Sequence, residues 1–161
     1  MNAKELKYRY EYGVVTRIVD GDGIFIMNLT TKKELEIRLL GIDAPEMSHC
    51  KKLRQDERET HVPGGLLIEL GRASKQYLQT LLPIGTTISY VSGVKSNLDV
   101  YGRLLAYVYL KDGRCANQEI VRAGYAKAFD KYECDQLSLL LGLNAEARRE
   151  QRGNYQVVNI I

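Results

Sequence analysis

Three short stretches carry side chains able to do chemistry together: Asp20-Gly21-Asp22, the run from Arg38 to Glu46 that contains Asp43-Ala44-Pro45-Glu46, and Tyr101-Gly102-Arg103. Carboxylates at separated points suit a hard cation such as calcium, which takes about six to eight oxygens and completes its shell with water and backbone carbonyls. With so few protein ligands, that binding should be weak. Arg38 and Arg103 add forked donors that match phosphate oxygens and stay charged at every relevant pH. A carboxylate-held cation beside two guanidinium groups is equipment for phosphoryl chemistry. Each stretch alone has an ordinary structural reading: Asp20-Gly21-Asp22-Gly23 as a hairpin turn, Asp43-Ala44-Pro45-Glu46 as a proline turn, Arg103 as a surface ion-pair partner. An EF-hand is excluded, because Ile24 and Thr31 stand where that loop needs ligands.

Stretches so far apart in sequence meet only if the elements between them fold back on one another. Residues 8–40 are rich in Val, Ile, Tyr and Thr and are broken at Asp20-Gly21-Asp22-Gly23, which reads as strands joined by a tight turn. In the third strand Leu35, Ile37 and Leu39 alternate with Glu34, Glu36 and Arg38, so the period of two faces Arg38 away from the apolar core. Residues 47–65 hold Lys51, Lys52, Arg54, Asp56, Glu57, Arg58 and Glu59, end in Pro63-Gly64-Gly65, and read as a long mobile loop. Helical spacing follows at Leu70, Ala73, Ser74, Tyr77, Leu78, Leu81 and Leu82, stopped by Pro83 and Gly85. Strand character returns over 86–92 and 103–110, separated by the turn-rich Ser96-Asn97-Leu98-Asp99. A short helix over 116–122 closes at Gly124. Asp135 is placed to cap a last helix carrying Leu137, Leu140, Leu141, Asn144 and Arg148, which Gly153 ends. Five strands and three helices without β-α-β alternation predict an α+β domain whose strands close into a small barrel, since closure removes exposed edges.

At 161 residues, 45% hydrophobic and 27% charged, the chain reads as one globular domain over 1–161 and a monomer by default. No apolar run approaches the roughly 20 residues that span a bilayer, so no membrane partner is expected. The opening Met1-Asn2-Ala3-Lys4-Glu5-Leu6-Lys7 lacks the apolar centre of a signal peptide. As given the chain reads as cytoplasmic, and a trimmed secreted or periplasmic form would read the same. A net charge of +3 permits an anionic partner without demanding one. Cys50, Cys115 and Cys134 are odd in number and widely spaced, which argues for free thiols over a disulfide framework.

Taken together, Asp-Gly-Asp at 20–22, Arg38 through Glu46, Tyr101-Gly102-Arg103 with the following Leu104-Leu105-Ala106-Tyr107, and Val121-Arg122-Ala123-Gly124-Tyr125-Ala126 resemble the thermonuclease family. These are the calcium-dependent, staphylococcal-nuclease-like domains, and the resemblance runs over about 13–153. It implies a five-stranded oligonucleotide-binding (OB-fold) β-barrel with three helices. It also implies a calcium-dependent, sugar-nonspecific endonuclease that hydrolyses DNA and RNA, single-stranded or unstacked, to products with a 3′-phosphate. By the same resemblance Asp22 and Asp43 ligate Ca2+ with the Ala44 carbonyl, and Asp20 stands close behind them. Glu46 orients or deprotonates the attacking water. Arg38 holds the phosphate, Arg103 serves the pentacovalent state or the leaving oxygen, and Tyr101 packs near the terminal nucleotide.

Lys51 and Lys52, just past Glu46, are suited to flanking phosphates. The chain departs from the family at Gly23, where Thr or Ser is expected, and in the length of the segment after Glu46. Asp130 falls near where the family carries a substrate-facing tyrosine, with Tyr132 close by. The rival from a different class is a non-catalytic OB-fold module that binds nucleic acid or protein. Such a module is expected to lack at least one of Asp22, Arg38, Asp43, Glu46 and Arg103, and this chain keeps all five.

Overall fold

The structure, a computed structural model, describes residues 9–93 and 97–160. The opening segment read for a leader, Tyr8, Ser96 and Ile161 lie outside the described residues.

Alternating β-branched residues form the expected meander, with β1 (Glu11–Asp20), β2 (Gly23–Asn28) and β3 (Glu34–Leu39) antiparallel in turn. β3 then pairs in parallel with β6 (Leu104–Tyr109), β6 pairs with β5 (Thr87–Ser92), and β5 returns to β1, closing the barrel in the order β1-β2-β3-β6-β5. Inward-facing Val15, Ile24, Ile26, Ile37, Leu39, Ile88 and Val108 fill it, joined by Leu78, Leu82 and Ile120 from the helices. The barrel agrees with the expected five strands. A two-residue pair, β4 (Ile42–Asp43) with β7 (Lys127–Ala128), is added outside it and sets Asp43 opposite Lys127.

Four helices replace the expected three: α1 (Lys51–Thr60), α2 (Gly64–Leu81), α3 (Ala116–Arg122) and α4 (Leu137–Arg149). The extra one, α1, lies in the segment 47–65 that the sequence presents as a loop. It buries only Leu53, against Val62, Leu67 and Ile68, so it shows no apolar period. Its stability comes from its ends and its surface. Cys50 Sγ accepts from the Leu53 N–H at 3.4 Å, and His61 closes the helix at a left-handed φ of 59°. The pairs Lys52–Asp56 and Gln55–Glu59 span one turn, each worth about 0.2–0.5 kcal/mol. Glu57 accepts from the Gly64 N–H, tying α1 to the start of α2.

The last helix differs in its caps. Gln136, not Asp135, stands at its N-cap without a side-chain bond, because Asp135 Oδ1 instead accepts from the Tyr107 hydroxyl at 2.7 Å. It stops at Arg149, and Gly153 opens a separate 3-10 turn (Gly153–Gln156). Beyond that turn, Val158 packs on the cluster formed by Leu70, Ala147 and Tyr155.

Two glycines set how closely the site loops sit on α2. A Cβ on Gly21 would meet Ala44 Cβ at 2.6 Å and Ser74 Cβ at 2.7 Å, so the first turn touches both the Asp43–Glu46 segment and the helix. A Cβ on Gly71 would meet the carbonyl oxygens of Pro45 and Glu46 at 2.5 and 2.7 Å, and backbone atoms cannot swing aside. α2 cannot retreat either, since Leu78 is fully buried and Ser74 Oγ donates to the Tyr125 carbonyl. Gly71→Ala should therefore destabilise the fold by about 1–3 kcal/mol, read from denaturant unfolding. An unchanged midpoint would show that the Glu46 backbone is not held against the helix.

Candidate active site

The β1–β2 turn, the outer face of β3, β4, the segment leading to Glu46 and the approach to β6 converge on one cleft of about 540 Å³. Asp20, Asp22, Arg38, Asp43, Glu46, Lys51, Lys52, Tyr101 and Arg103 all line it. Ala44, the remaining candidate, is buried beside it.

Asp22 is fixed from both sides. Its Oδ2 accepts from the Ala44 N–H at 2.8 Å, its carbonyl accepts from the Leu39 N–H at 2.8 Å, and its own N–H donates to Asp20 Oδ1. The tight turn therefore aims one carboxylate inward and holds it with the other. Arg38 leaves the barrel on the face opposite Ile37 and Leu39, as the alternation requires. It does not reach solvent: only 9% exposed, it lies between Asp22 and Asp43, with Nη1 2.8 Å from Asp22 Oδ2 and Nη2 3.3 Å from Asp43 Oδ1. Nη1 is near Asp22 but not aligned with it. Among the described residues it is the buried side-chain nitrogen left without a hydrogen bond. The 2.8 Å ion pair still engages that nitrogen, so the guanidinium is held by charge on both sides, and its five N–H donors exceed what the two carboxylates take up.

Burial pushes the Asp22 carboxyl up to about 6, with Arg38 opposing the shift and Asp20 adding to it. Burial likewise raises Glu46, helped by the charges of Asp22 and Asp43 and opposed by Lys52. For Arg38 burial works against the charge, but Asp22, Asp43 and Asp20 outweigh it, and the guanidinium stays ionised. Asp43 faces cations on both oxygens: Arg38 at Oδ1, and Lys52 at 3.0 Å with Lys127 at 4.0 Å at Oδ2.

Arg103 occupies the opposite wall, positioned by a residue that the sequence motifs did not single out. Asp99 Oδ1 accepts from the backbone N–H groups of Tyr101 and Arg103, and Oδ2 accepts from Arg103 Nε at 2.6 Å. Burial opposes the Asp99 charge, but the bonds from Arg103 and Tyr101 outweigh it and hold the carboxyl below its usual range. Because Asp99 takes Nε, the two terminal nitrogens of Arg103 remain, one of them 4.0 Å from Glu36. The Tyr101 ring, 82% exposed, lies 5.4 Å from the guanidinium carbon. Asp99, two residues before Tyr101, has the spacing of an aspartate that closes its own turn, and that was the available signal.

Phe129, 6.0 Å from the Arg38 guanidinium, and Lys131 also line the cleft, brought there by the strand pair β4–β7, which is too short to leave a sequence pattern. Tyr132 lines it as well, its hydroxyl accepting from the Val100 N–H. Lys51 is exposed at the rim, while Lys52 is half-buried and engaged with Asp43 and Asp56.

The donor set is one of hard oxygens. Among the described residues no three acidic, histidine or cysteine side chains gather closely enough to hold a metal by themselves. Asp22 and Asp43 could hold a hard cation only together with backbone carbonyl and water oxygens, and not as a closed four-ligand zinc centre. The charge that burial resists at Asp22 is what such an ion would neutralise.

The sequence model of the family described as staphylococcal nuclease homologue matches residues 36–155. An "uncharacterized endonuclease" of Escherichia coli O157:H7 is 36% identical over 143 residues, covering 88% of this chain and 75% of that protein. "Endonuclease YhcR" of Bacillus subtilis is 33% identical over 146 residues, again 88% of this chain, which spans only 11% of that much longer protein. "Uncharacterized protein MJ1439" of Methanocaldococcus jannaschii is 29% identical over 133 residues, 76% of this chain and 61% of that protein.

Proposed function

The chain belongs to the staphylococcal nuclease homologue family, and we propose that its cleft hydrolyses phosphodiester bonds of DNA and RNA with calcium, leaving a 3′-phosphate. The observation that carries this is the convergence of Asp22, Asp43, Glu46 and both expected arginines on one cleft, with Arg38 ion-paired to both aspartates at its centre.

Asp22 and Asp43, with the Ala44 carbonyl, would hold the calcium, which would polarise a phosphoryl oxygen and acidify a water. Arg38 donates to a non-bridging phosphate oxygen, meeting charge that grows as phosphorus becomes five-coordinate. Glu46 takes the proton of the attacking water. Its burial-raised pKa brings it nearer the working pH, where a general base is most effective. The water oxygen bonds to phosphorus, the bond to the 5′ oxygen breaks, and the terminal nitrogens of Arg103 stabilise the departing oxyanion, which takes a proton from solvent while Glu46 returns its proton to solvent. Asp99 positions that arginine by accepting from its Nε. Tyr101 offers an exposed ring on which an unpaired base can stack, which favours single-stranded or unstacked substrate.

Asp22 also sets a pH dependence. With its carboxyl raised to about 6, it is protonated below that pH and ionised above it, and calcium takes only the ionised form. Calcium affinity should fall by about tenfold per pH unit below about 6 and level off above about 7. A titration showing equal affinity at about pH 5 and about pH 7 would contradict Asp22 as a ligand. The bond that breaks is tested by labelling the product ends. If the 5′ oxygen leaves, each new 5′ end is a free hydroxyl that a kinase phosphorylates directly; products that first need phosphatase treatment would reverse the assignment.

A further inference from the structure

The helix that follows Glu46 brings a cation of its own into the cleft. Lys52, near the start of α1, donates from Nζ to Asp43 Oδ2 at 3.0 Å. The same ammonium reaches both oxygens of Asp56 one turn further along, at 2.9 and 2.7 Å. Asp56 is on the lysine's own helix, so this grip does not depend on the rest of the site. α1 is itself fixed, through Leu53 packed on α2 and Glu57 bonded to the Gly64 N–H. Asp43, by contrast, is a ligand on the reading above, and its Oδ2 cannot serve an ammonium and a divalent ion at contact distance, because the two cations would repel.

Resting on that reading, we infer that Lys52 is an internal counter-ion that neutralises Asp43 in the metal-free protein and must yield Oδ2 when calcium binds, while Asp56 retains the lysine. The device has two effects. It stabilises a buried carboxylate that would otherwise stand partly uncompensated, and it raises the calcium concentration at which the site fills. Asp56 makes the exchange local: the ammonium gives up one partner and keeps another, so α1 need not move.

The test is calcium binding without nucleic acid, by titration calorimetry, with thermal unfolding of the same samples in chelator. Lys52→Met should bind calcium about tenfold more tightly than the parent, unfold at a lower temperature in chelator, and gain more stability when calcium is added. Arg54→Met removes the same charge from an exposed position of the same helix and should shift affinity by less than about twofold, because solvent screens it. Lys52→Arg, which keeps the charge, should bind like the parent, and Lys52→Gln serves if the methionine variant does not fold. Equal tightening by Lys52→Met and Arg54→Met would overturn the contact role and leave the nuclease reading intact. A parent protein that cleaves nucleic acid in chelator and binds no calcium would remove that reading, and this inference with it.

Discussion

Arg38→Ala is expected to lower the cleavage rate by roughly 10²- to 10³-fold at saturating calcium, the usual cost of losing a donor aimed at transition-state charge. The same substitution leaves Asp22 buried without its ion-pair partner, while Asp43 keeps Lys52 and Lys127. Breaking a buried ion pair from one side costs about 3–5 kcal/mol, so the metal-free variant should also unfold at a lower temperature. Added calcium should recover much of that loss and little of the rate, because the ion can neutralise the carboxylates but cannot replace the forked N–H groups. Arg38→Lys separates the two effects: it restores a positive charge, and with it most of the stability, without restoring bidentate geometry. A rate within about threefold of the parent in folded, calcium-loaded Arg38→Ala would show that Arg38 does not serve the phosphate.

Glu46→Gln should reduce the rate by roughly 10²- to 10⁴-fold, the range for removing a general base. Here the fold should not suffer. Glu46 is half-buried, its charge is opposed by burial and by Asp22, and the amide removes that conflict. The unfolding temperature should be equal to or above that of the parent, and calcium affinity should change little, since Asp22 and Asp43 remain. Loss of rate with unchanged binding and unchanged stability would be the signature of a proton acceptor. Full activity would assign the proton to another group, and a large loss of stability would mark Glu46 as structural.

The parts of the molecule that were legible in the sequence are those that repeat or that combine unusual residue types. Leu35, Ile37 and Leu39 against Glu36 and Arg38 gave both a strand and the face on which Arg38 stands. The alternation could not say that Arg38 would be buried, because what covers that face is the turn at Asp22 and the segment at Asp43, which are distant in sequence. Helix α1 was hidden for the opposite reason. It needs only one buried residue, Leu53, and draws on caps and one-turn polar pairs that resemble an ordinary charged loop. Its presence sets Lys52, expected from the sequence as a phosphate contact, against Asp43. Asp99 was readable as a turn residue but not as the clamp on Arg103, a role that depends on the arginine folding back over the turn. The pair β4–β7 left no trace at two residues per strand, yet it brings Lys127 to Asp43 and Phe129 to Arg38.

Calcium-dependent cutting of nucleic acid in this cleft can be checked by incubating single-stranded DNA and RNA with the parent protein and with Glu46→Gln, each with added calcium and with excess chelator. Fragments of both substrates are expected only from the parent and only with calcium. Equal cleavage by the parent in chelator, or by Glu46→Gln in calcium, would contradict that reading, as would intact substrates that the calcium-loaded parent binds and does not cut.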